Sequence, residues 1–183
     1  MKTEIGDYAL YFGRLSKEKG INNLIEAFAK CKDGKLYIAG EGPEKENIEK
    51  IINENKLQER VKLLGFLNAD EMKEAIRKCR FVVVPSIWYE NCPYSVMETL
   101  AIGKPVIGAN IGGIPELVQD DKTGFVYKFD DIDDLSNKMK IFFEDPNLAK
   151  KYGKNAKEEA KELYGKENHY QKIVNIYKKI CGE

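Results

Sequence analysis

Short apolar runs alternate with longer amphipathic stretches along most of this chain, and this alternation is what most constrains its fold. Each run spans four to six residues and ends at or near a glycine, a proline or a polar turn, as buried strands do. Repeated strand and helix alternation predicts a parallel sheet with helices on both faces and right-handed crossovers. The predicted strands are residues 8–12, 36–39, 61–64, 81–85, 105–109 and 124–129.

The run at residues 81–85 is the clearest of these strands, because it is apolar throughout and so fits a strand covered on both faces. From Asp131 onward the pattern is helical, over residues 131–143, 147–163 and 166–180. We therefore expect a Rossmann-like, three-layer α/β domain with a six-stranded parallel sheet and a C-terminal helical tail. The expected domain covers residues 1–183, with its α/β core ending at about residue 145 and C-terminal helices over residues 146–183.

Charge and cysteine content exclude several classes of function. The 30 basic and 30 acidic side chains cancel, so the chain has no global field to attract nucleic acid or an anionic membrane. The chain has four scattered cysteines and a single histidine, which argues against a zinc site. Unpaired cysteines are also typical of proteins in a reducing compartment. No apolar run approaches the roughly 20 residues that a membrane span needs. These features predict a cytoplasmic protein without a bound metal.

Most of the residues with binding chemistry directly follow a predicted strand. Ligands of open parallel sheets bind beyond the carboxyl ends of the strands, so these loops are expected to meet at one edge. The loops concerned contain Gly13 and Arg14, Gly40 to Gly42, Gly65 and Phe66, Ser86 to Glu90, and Asn110 to Gly113.

Arg14 and Lys19 form a basic pair in the first of these loops, between Gly13 and Gly20. A guanidinium binds phosphate oxygens in a bidentate manner and an ammonium acts as a point charge, so the pair suits a diphosphate. The alternative is a solvated basic turn before a helix.

Glu90 and Glu98 stand eight positions apart, on either side of a predicted helix start near Pro93. Carboxylates in this position accept hydrogen bonds from hydroxyl groups, and the helix start offers unpaired amides. The alternative for Glu98 is an ordinary first-turn glutamate favoured by the helix dipole.

Gly40, Glu41 and Gly42 form either a simple turn or a close approach of backbone to ligand. Gly65 and Phe66 contribute either to the core or, through backbone atoms, to a nucleobase site.

Taken together, these motifs resemble the C-terminal domain of retaining glycosyltransferases of family 4, which have the two-domain GT-B fold. The resemblance covers almost the whole chain and depends on four motifs in the family's order and spacing. They are Gly13-Arg14 with Lys19-Gly20, Gly40 to Pro43, Glu90 with Glu98, and Gly103 to Ile107 with Gly112 to Glu116.

The resemblance implies a role for each matching residue. Arg14 and Lys19 would contact the donor diphosphate and stabilise the leaving nucleotide, and Glu90 would lie near the donor sugar. Glu98 would bind ribose hydroxyls, with Gly65 and Phe66 near the base. The remaining donor-binding positions implied are Gly13, Gly40, Glu41, Gly42, Asn91, Cys92, Pro93, Tyr94 and Ser95. The family needs no divalent metal or other cofactor, because basic side chains and a helix N-terminus supply the stabilisation.

Two departures from the family are visible. Many members carry Phe-Gly soon after the first glutamate, where this chain has Asn91-Cys92-Pro93-Tyr94, although Pro93 suits a helix start. Nothing in the chain matches the family's N-terminal acceptor domain. We therefore expect the donor-binding half of a hexosyltransferase, which binds a UDP-, GDP- or ADP-sugar weakly and turns over little alone.

Three other functions compete with this prediction. A nucleotide-sugar binding module without catalysis would share the fold, and so would a fragment of a GT-B phosphorylase that uses inorganic phosphate. A nicotinamide-binding dehydrogenase domain is disfavoured, because no G-x-G-x-x-G motif opens the helix after Gly13.

Overall fold

A computed structural model describes residues 6–182 of the chain. Its centre is a six-stranded sheet in the order β3-β2-β1-β4-β5-β6, in which every neighbouring pair is parallel. This confirms the predicted Rossmann-like α/β fold. The strands are β1 (Tyr8–Phe12), β2 (Lys35–Ala39), β3 (Val61–Gly65), β4 (Phe81–Val84), β5 (Val106–Ala109) and β6 (Gly124–Tyr127).

Eight α-helices accompany the sheet within the described residues, and a short 3₁₀ turn at Lys17–Lys19 precedes the first. None of the helices within residues 6–182 is long and apolar enough to span a membrane. The helices are α1 (Ile21–Ala29), α2 (Lys45–Glu54), α3 (Ala69–Lys78), α4 (Tyr94–Ile102), α5 (Ile114–Leu117), α6 (Ile132–Glu144), α7 (Pro146–Tyr164) and α8 (Lys166–Cys181).

The core lies on both faces of the sheet, and its central strands are fully covered. All four residues of β4 and all four of β5 are buried, as their unbroken apolar sequences require. Aromatic rings join β4 and β6 to α6: the ring centroid of Phe142 lies 5.3 Å from that of Phe81 and 4.7 Å from that of Phe125. Tyr152 of α7 packs edge-on against Phe142 at 5.7 Å.

Helix α3 begins before Asp70, although aspartate is a residue type that favours the N-cap position. Asn68 is the capping residue, and its side chain accepts hydrogen bonds from the amides of Asp70 and Glu71. Glu71 reaches back to the Asn68 amide and completes a capping box. Asn68 has the extended backbone that a cap requires, whereas Asp70 is already helical.

The two helices after α6 differ in how much of their surface is buried. Helix α7 packs against α4, α6 and β6 through a buried face that includes Tyr152 and Ala156. Helix α8 has no buried residue. Its Tyr170 and Tyr177 are exposed to solvent.

Candidate functional site

The strand order reverses between β1 and β4, which are neighbours although two strands separate them in the chain. Ala9 pairs with Phe81 and Leu10 with Val82 across this junction. The loops that leave the two strands diverge and open a crevice beyond their carboxyl ends, which is where ligands bind in folds of this type. The loop after β1 carries Arg14 and Lys19, and the loop after β4 carries Glu90.

A cleft of about 400 Å³ occupies this crevice. It brings together eight of the residues that the sequence predicted for a donor site. They are Gly13, Arg14, Lys19, Glu90, Cys92, Pro93, Tyr94 and Ser95. The rest of its lining comes from the ends of β1 and β4 and from Ser86.

Lys19 and Glu90 form an ion pair inside the cleft, although 71 positions separate them. The Lys19 Nζ atom lies 2.6 Å from Glu90 Oε1. The Ser86 hydroxyl donates to the same carboxylate oxygen at 2.8 Å. Both charged side chains are partly accessible, with 31% of Lys19 and 18% of Glu90 exposed. The pair therefore lies at the cleft surface, where an incoming anion can compete for the ammonium group.

Arg14 is exposed at the mouth of the cleft, and its backbone is fixed from below. The Tyr11 hydroxyl donates to the Arg14 carbonyl oxygen at 2.9 Å. Burial raises the pKa of the Tyr11 phenol, and the negative charges of Glu90 and Glu18 raise it further. The phenol therefore keeps its proton at neutral pH, and the hydrogen bond that holds this loop persists.

The loop after β2 packs tightly against the loop after β1. A Cβ atom on Gly40 would lie 1.9 Å from the Gly13 carbonyl oxygen, and one on Gly42 would lie 2.3 Å from that of Leu15. Leu15 donates its amide to the Glu41 carbonyl oxygen at 2.9 Å. Gly40 and Gly42 thus allow a close backbone approach between these two neighbouring loops. These contacts hold the loop that carries Arg14 and Lys19 in place.

On its other side the Glu90 loop is held by the loop after β5. The Gly113 amide donates to the Glu90 carbonyl oxygen at 2.7 Å. A Cβ atom on Gly113 would lie 2.1 Å from the carbonyl oxygen of Asn91, and one on Gly112 would lie 2.5 Å from that of Glu90. Any larger side chain at these two glycines would displace the loop that presents Glu90.

Helix α4 begins beside the cleft, with Pro93 in an extended conformation at its N-cap. Tyr94 and Ser95 occupy its first two positions and line the cleft, so the N-terminus of the helix, with its unpaired amides, borders this site. Glu98 lies one turn further along, exposed to solvent and outside the cleft lining.

The other predicted positions lie around the cleft rather than in it. Asn91 is exposed in the Glu90 loop. The Gly65 carbonyl oxygen accepts a hydrogen bond from the Gly40 amide at 2.7 Å. Phe66 is 76% exposed, which excludes the interpretation that it belongs to the core.

Two residues of the cleft lining, Ser86 and Tyr11, belong to no site motif in the sequence. Ser86 is a loop residue there, and Tyr11 is part of an apolar strand. Ser86 directly follows Pro85 at the end of β4, so its position relative to the strand could have marked it. Its pairing with Glu90 depends on the path of the loop, which no spacing rule reveals.

A second cleft, of about 470 Å³, lies at the opposite edge of the sheet, where β4 and β5 begin. We call it the lysine cleft, because α7 contributes Lys150, Lys151, Lys154 and Lys157 to its lining. It lies at the amino ends of the strands, so it lacks the convergent loops of the first cleft. Within residues 6–182, no group of three or more His, Cys, Asp or Glu side chains is placed to hold a metal ion.

Comparison with known proteins agrees with this geometry. The sequence profile of the family described as glycosyl transferases group 1 matches residues 3–159. This chain belongs to the glycosyl transferases group 1 family. Among curated relatives, an uncharacterized glycosyltransferase of Methanocaldococcus jannaschii is 32% identical over 97% of this chain and 49% of its own length. The alpha-D-kanosaminyltransferase of Streptomyces kanamyceticus is 28% identical over 93% of this chain and 45% of its own length.

Solved structures of glycosyltransferases share the fold. HepE of Anabaena, crystallised in complex with UDP, superimposes with a TM-score of 0.87 at 27% sequence identity. The match covers 95% of this chain and 49% of HepE, and another HepE structure is a complex with UDP-glucose. This chain thus spans about half the length of the relatives that it matches.

The close contact of Gly40 with the loop after β1 leads to a prediction about stability. Gly40→Ala should destabilise the fold by at least about 2 kcal/mol, because Gly40 has a φ of 132° and its new Cβ would meet the Gly13 carbonyl oxygen. Gly65→Ala is the matched control: Gly65 also has a positive φ, but the nearest atom to its Cβ position lies 4.0 Å away. It should lose only about 1 kcal/mol. Urea denaturation of both variants measures the difference, and equal losses would contradict the docking of the two loops.

Proposed function

We propose that this chain binds a nucleotide diphosphate sugar in the β1–β4 crevice and forms the donor-binding half of a retaining hexosyltransferase. One observation carries the proposal. Arg14, Lys19, Glu90 and the N-terminus of α4 converge on a single cleft at the point where the strand order reverses. Positive charge, a hydroxyl-binding carboxylate and free helix amides are the groups that such a ligand needs.

The diphosphate would bind between Arg14 and Lys19. Arg14 is exposed and can take two phosphate oxygens in a bidentate manner. Lys19 is paired with Glu90 in this structure, so phosphate binding would draw its ammonium group away from the carboxylate. Both cations would then oppose the negative charge that develops on the departing nucleotide.

The hexose would lie toward Glu90 and the first turn of α4. Glu90 would accept hydrogen bonds from sugar hydroxyls, and amides near Tyr94 and Ser95 would donate to sugar or phosphate oxygens. The ribose and base would extend outward past the cleft. Glu98 and Phe66, which are exposed and lie outside the cleft lining, are the groups proposed to meet them.

In the proposed reaction, the bond between the sugar C1 atom and the diphosphate oxygen breaks, and the nucleotide leaves with the electron pair. A hydroxyl oxygen of the acceptor forms the new bond to C1 from the same face, which retains the anomeric configuration. The acceptor's proton passes to the departing phosphate. We propose that Arg14, Lys19 and the helix terminus provide the electrostatic stabilisation without a divalent metal or another cofactor.

The acceptor site is proposed to lie in the other half of a complete two-domain enzyme. This chain corresponds to 45–49% of the length of the relatives described above. Catalysis of this type needs donor and acceptor held together, and the described cleft holds one set of ligand groups. We therefore propose that residues 1–183 alone bind donor but transfer sugar slowly or not at all.

Calorimetric titration with UDP, GDP and ADP, and with the corresponding nucleotide sugars, tests donor binding. We expect one nucleotide to bind with a Kd in the micromolar to millimolar range. Arg14→Ala should weaken that binding about tenfold or more, because it removes a charge-assisted contact. Glu98→Ala should weaken it less, since an exposed carboxylate on ribose hydroxyls contributes a weaker bond. Lys150→Ala, in the lysine cleft, is the control and should leave the affinity unchanged. Absence of binding by every nucleotide at millimolar concentration would refute the proposed site.

Thiol labelling gives an independent test with a built-in control. Cys92 lines the cleft and is exposed, and Cys181 is exposed on α8, whereas Cys31 and Cys79 are buried. Saturating nucleotide should slow the reaction of Cys92 with a maleimide several-fold, because the ligand covers it, and should leave Cys181 unaffected. Peptide mapping by mass spectrometry separates the two sites. Equal labelling rates of Cys92 with and without a nucleotide that calorimetry shows to bind would place that nucleotide elsewhere.

A further inference from the structure

The Ser86 hydroxyl is a buried polar group that the proposed chemistry does not yet use. Ser86 follows β4 at the base of the cleft, and only 2% of the residue is exposed. Its Oγ atom donates to Glu90 Oε1 at 2.8 Å. Lys19 Nζ lies 2.6 Å from that same oxygen. One carboxylate oxygen thus takes two donors from two different loops.

The other carboxylate oxygen is left available. Within residues 6–182, no protein group donates a hydrogen bond to Glu90 Oε2, and Glu90 keeps 18% of its side chain exposed in the cleft lining. A carboxylate that is anchored through one oxygen has little rotational freedom, so the other oxygen has a defined direction. This arrangement suits recognition of a hydroxyl group.

The two anchors differ in what happens when an anion arrives. Lys19 has a long, flexible side chain that is 31% exposed, and a diphosphate would compete with Glu90 for its charge. Ser86 has one short side-chain torsion and is buried, so it cannot follow the ligand. When Lys19 turns to phosphate, Ser86 is the donor that still fixes Glu90.

We propose that Ser86 is a positioning residue that holds Glu90 so that Oε2 contacts the hydroxyl groups of the donor hexose after Lys19 has engaged the diphosphate. This inference rests on the proposed donor site. Its consequence is specific: Ser86 should contribute to the affinity for the sugar part of the ligand and not to that for the nucleotide part.

The test compares Ser86→Ala with the wild-type chain by calorimetry, using UDP against UDP-glucose, or GDP against GDP-mannose if the wild type binds that pair. The wild type should bind the nucleotide sugar more tightly than the bare nucleotide. Ser86→Ala should keep its nucleotide affinity within about twofold and lose about tenfold in nucleotide-sugar affinity, the size of one hydrogen bond to a charged group.

Two further variants separate positioning from simple loss of structure. Ser86→Thr keeps the hydroxyl and should restore most of the sugar-dependent affinity. Ser136→Ala removes another hydroxyl that is only 1% exposed, on α6 and outside the cleft lining, and should change neither affinity. Thermal unfolding of each variant confirms that it is folded before titration.

The outcomes distinguish this inference from the proposed function. If the wild type binds no nucleotide, the donor site itself is wrong and the role of Ser86 fails with it. If the wild type binds nucleotide, the donor site stands, and either of two results would overturn the role of Ser86. One is an equal loss of nucleotide and nucleotide-sugar affinity in folded Ser86→Ala, and the other is no loss of either.

Discussion

The adjacency of β1 and β4 is the constraint on which the site depends. Because β4 pairs with β1 and not with β3, the chain after β1 runs to one side of the sheet and the chain after β4 to the other. The space between them cannot be filled by either crossover. Arg14 and Lys19 share one loop and are far from Glu90 in sequence, and they meet Glu90 only because this junction places the ends of β1 and β4 side by side.

Glycine contacts turn this junction into a fixed arrangement. Gly40 and Gly42 let the loop after β2 touch the Arg14 loop, and Gly112 and Gly113 let the loop after β5 touch the Glu90 loop. Backbone hydrogen bonds join the same pairs of loops. The cleft walls are thereby held from both flanks, which reduces the ordering cost when a ligand binds. The mobile part of the site is then the Lys19 side chain, whose partner changes from carboxylate to phosphate in the proposed function.

The sequence was sufficient to predict the architecture, because the spacing of hydrophobic residues indicates strands and helices without information on tertiary contacts. The run at residues 81–85 located β4 correctly, and Pro93 marked the start of α4. Finer features required backbone geometry. Asn68 and Asp70 are both good capping residues, and only their backbone angles decide which one caps α3.

The same limit applied to the site. The ends of the predicted strands indicated which loops would meet, but the hydrogen bonds within the cleft depend on side-chain conformations that the sequence does not show. The Lys19 and Ser86 hydrogen bonds to one oxygen of Glu90 were therefore not predicted. The contact of Gly40 with Gly13 was not predicted either, since a glycine pattern shows that space is needed and not what fills it.

A crystal structure of this chain with the nucleotide that it binds would show directly where the diphosphate lies. We expect the diphosphate at the carboxyl ends of β1 and β4, with its oxygens within hydrogen-bonding distance of the Arg14 guanidinium and the Lys19 ammonium. We also expect the Lys19–Glu90 ion pair to be broken. A diphosphate bound in the lysine cleft, or an intact Lys19–Glu90 pair beneath a nucleotide that ignores Arg14, would contradict the proposed donor site.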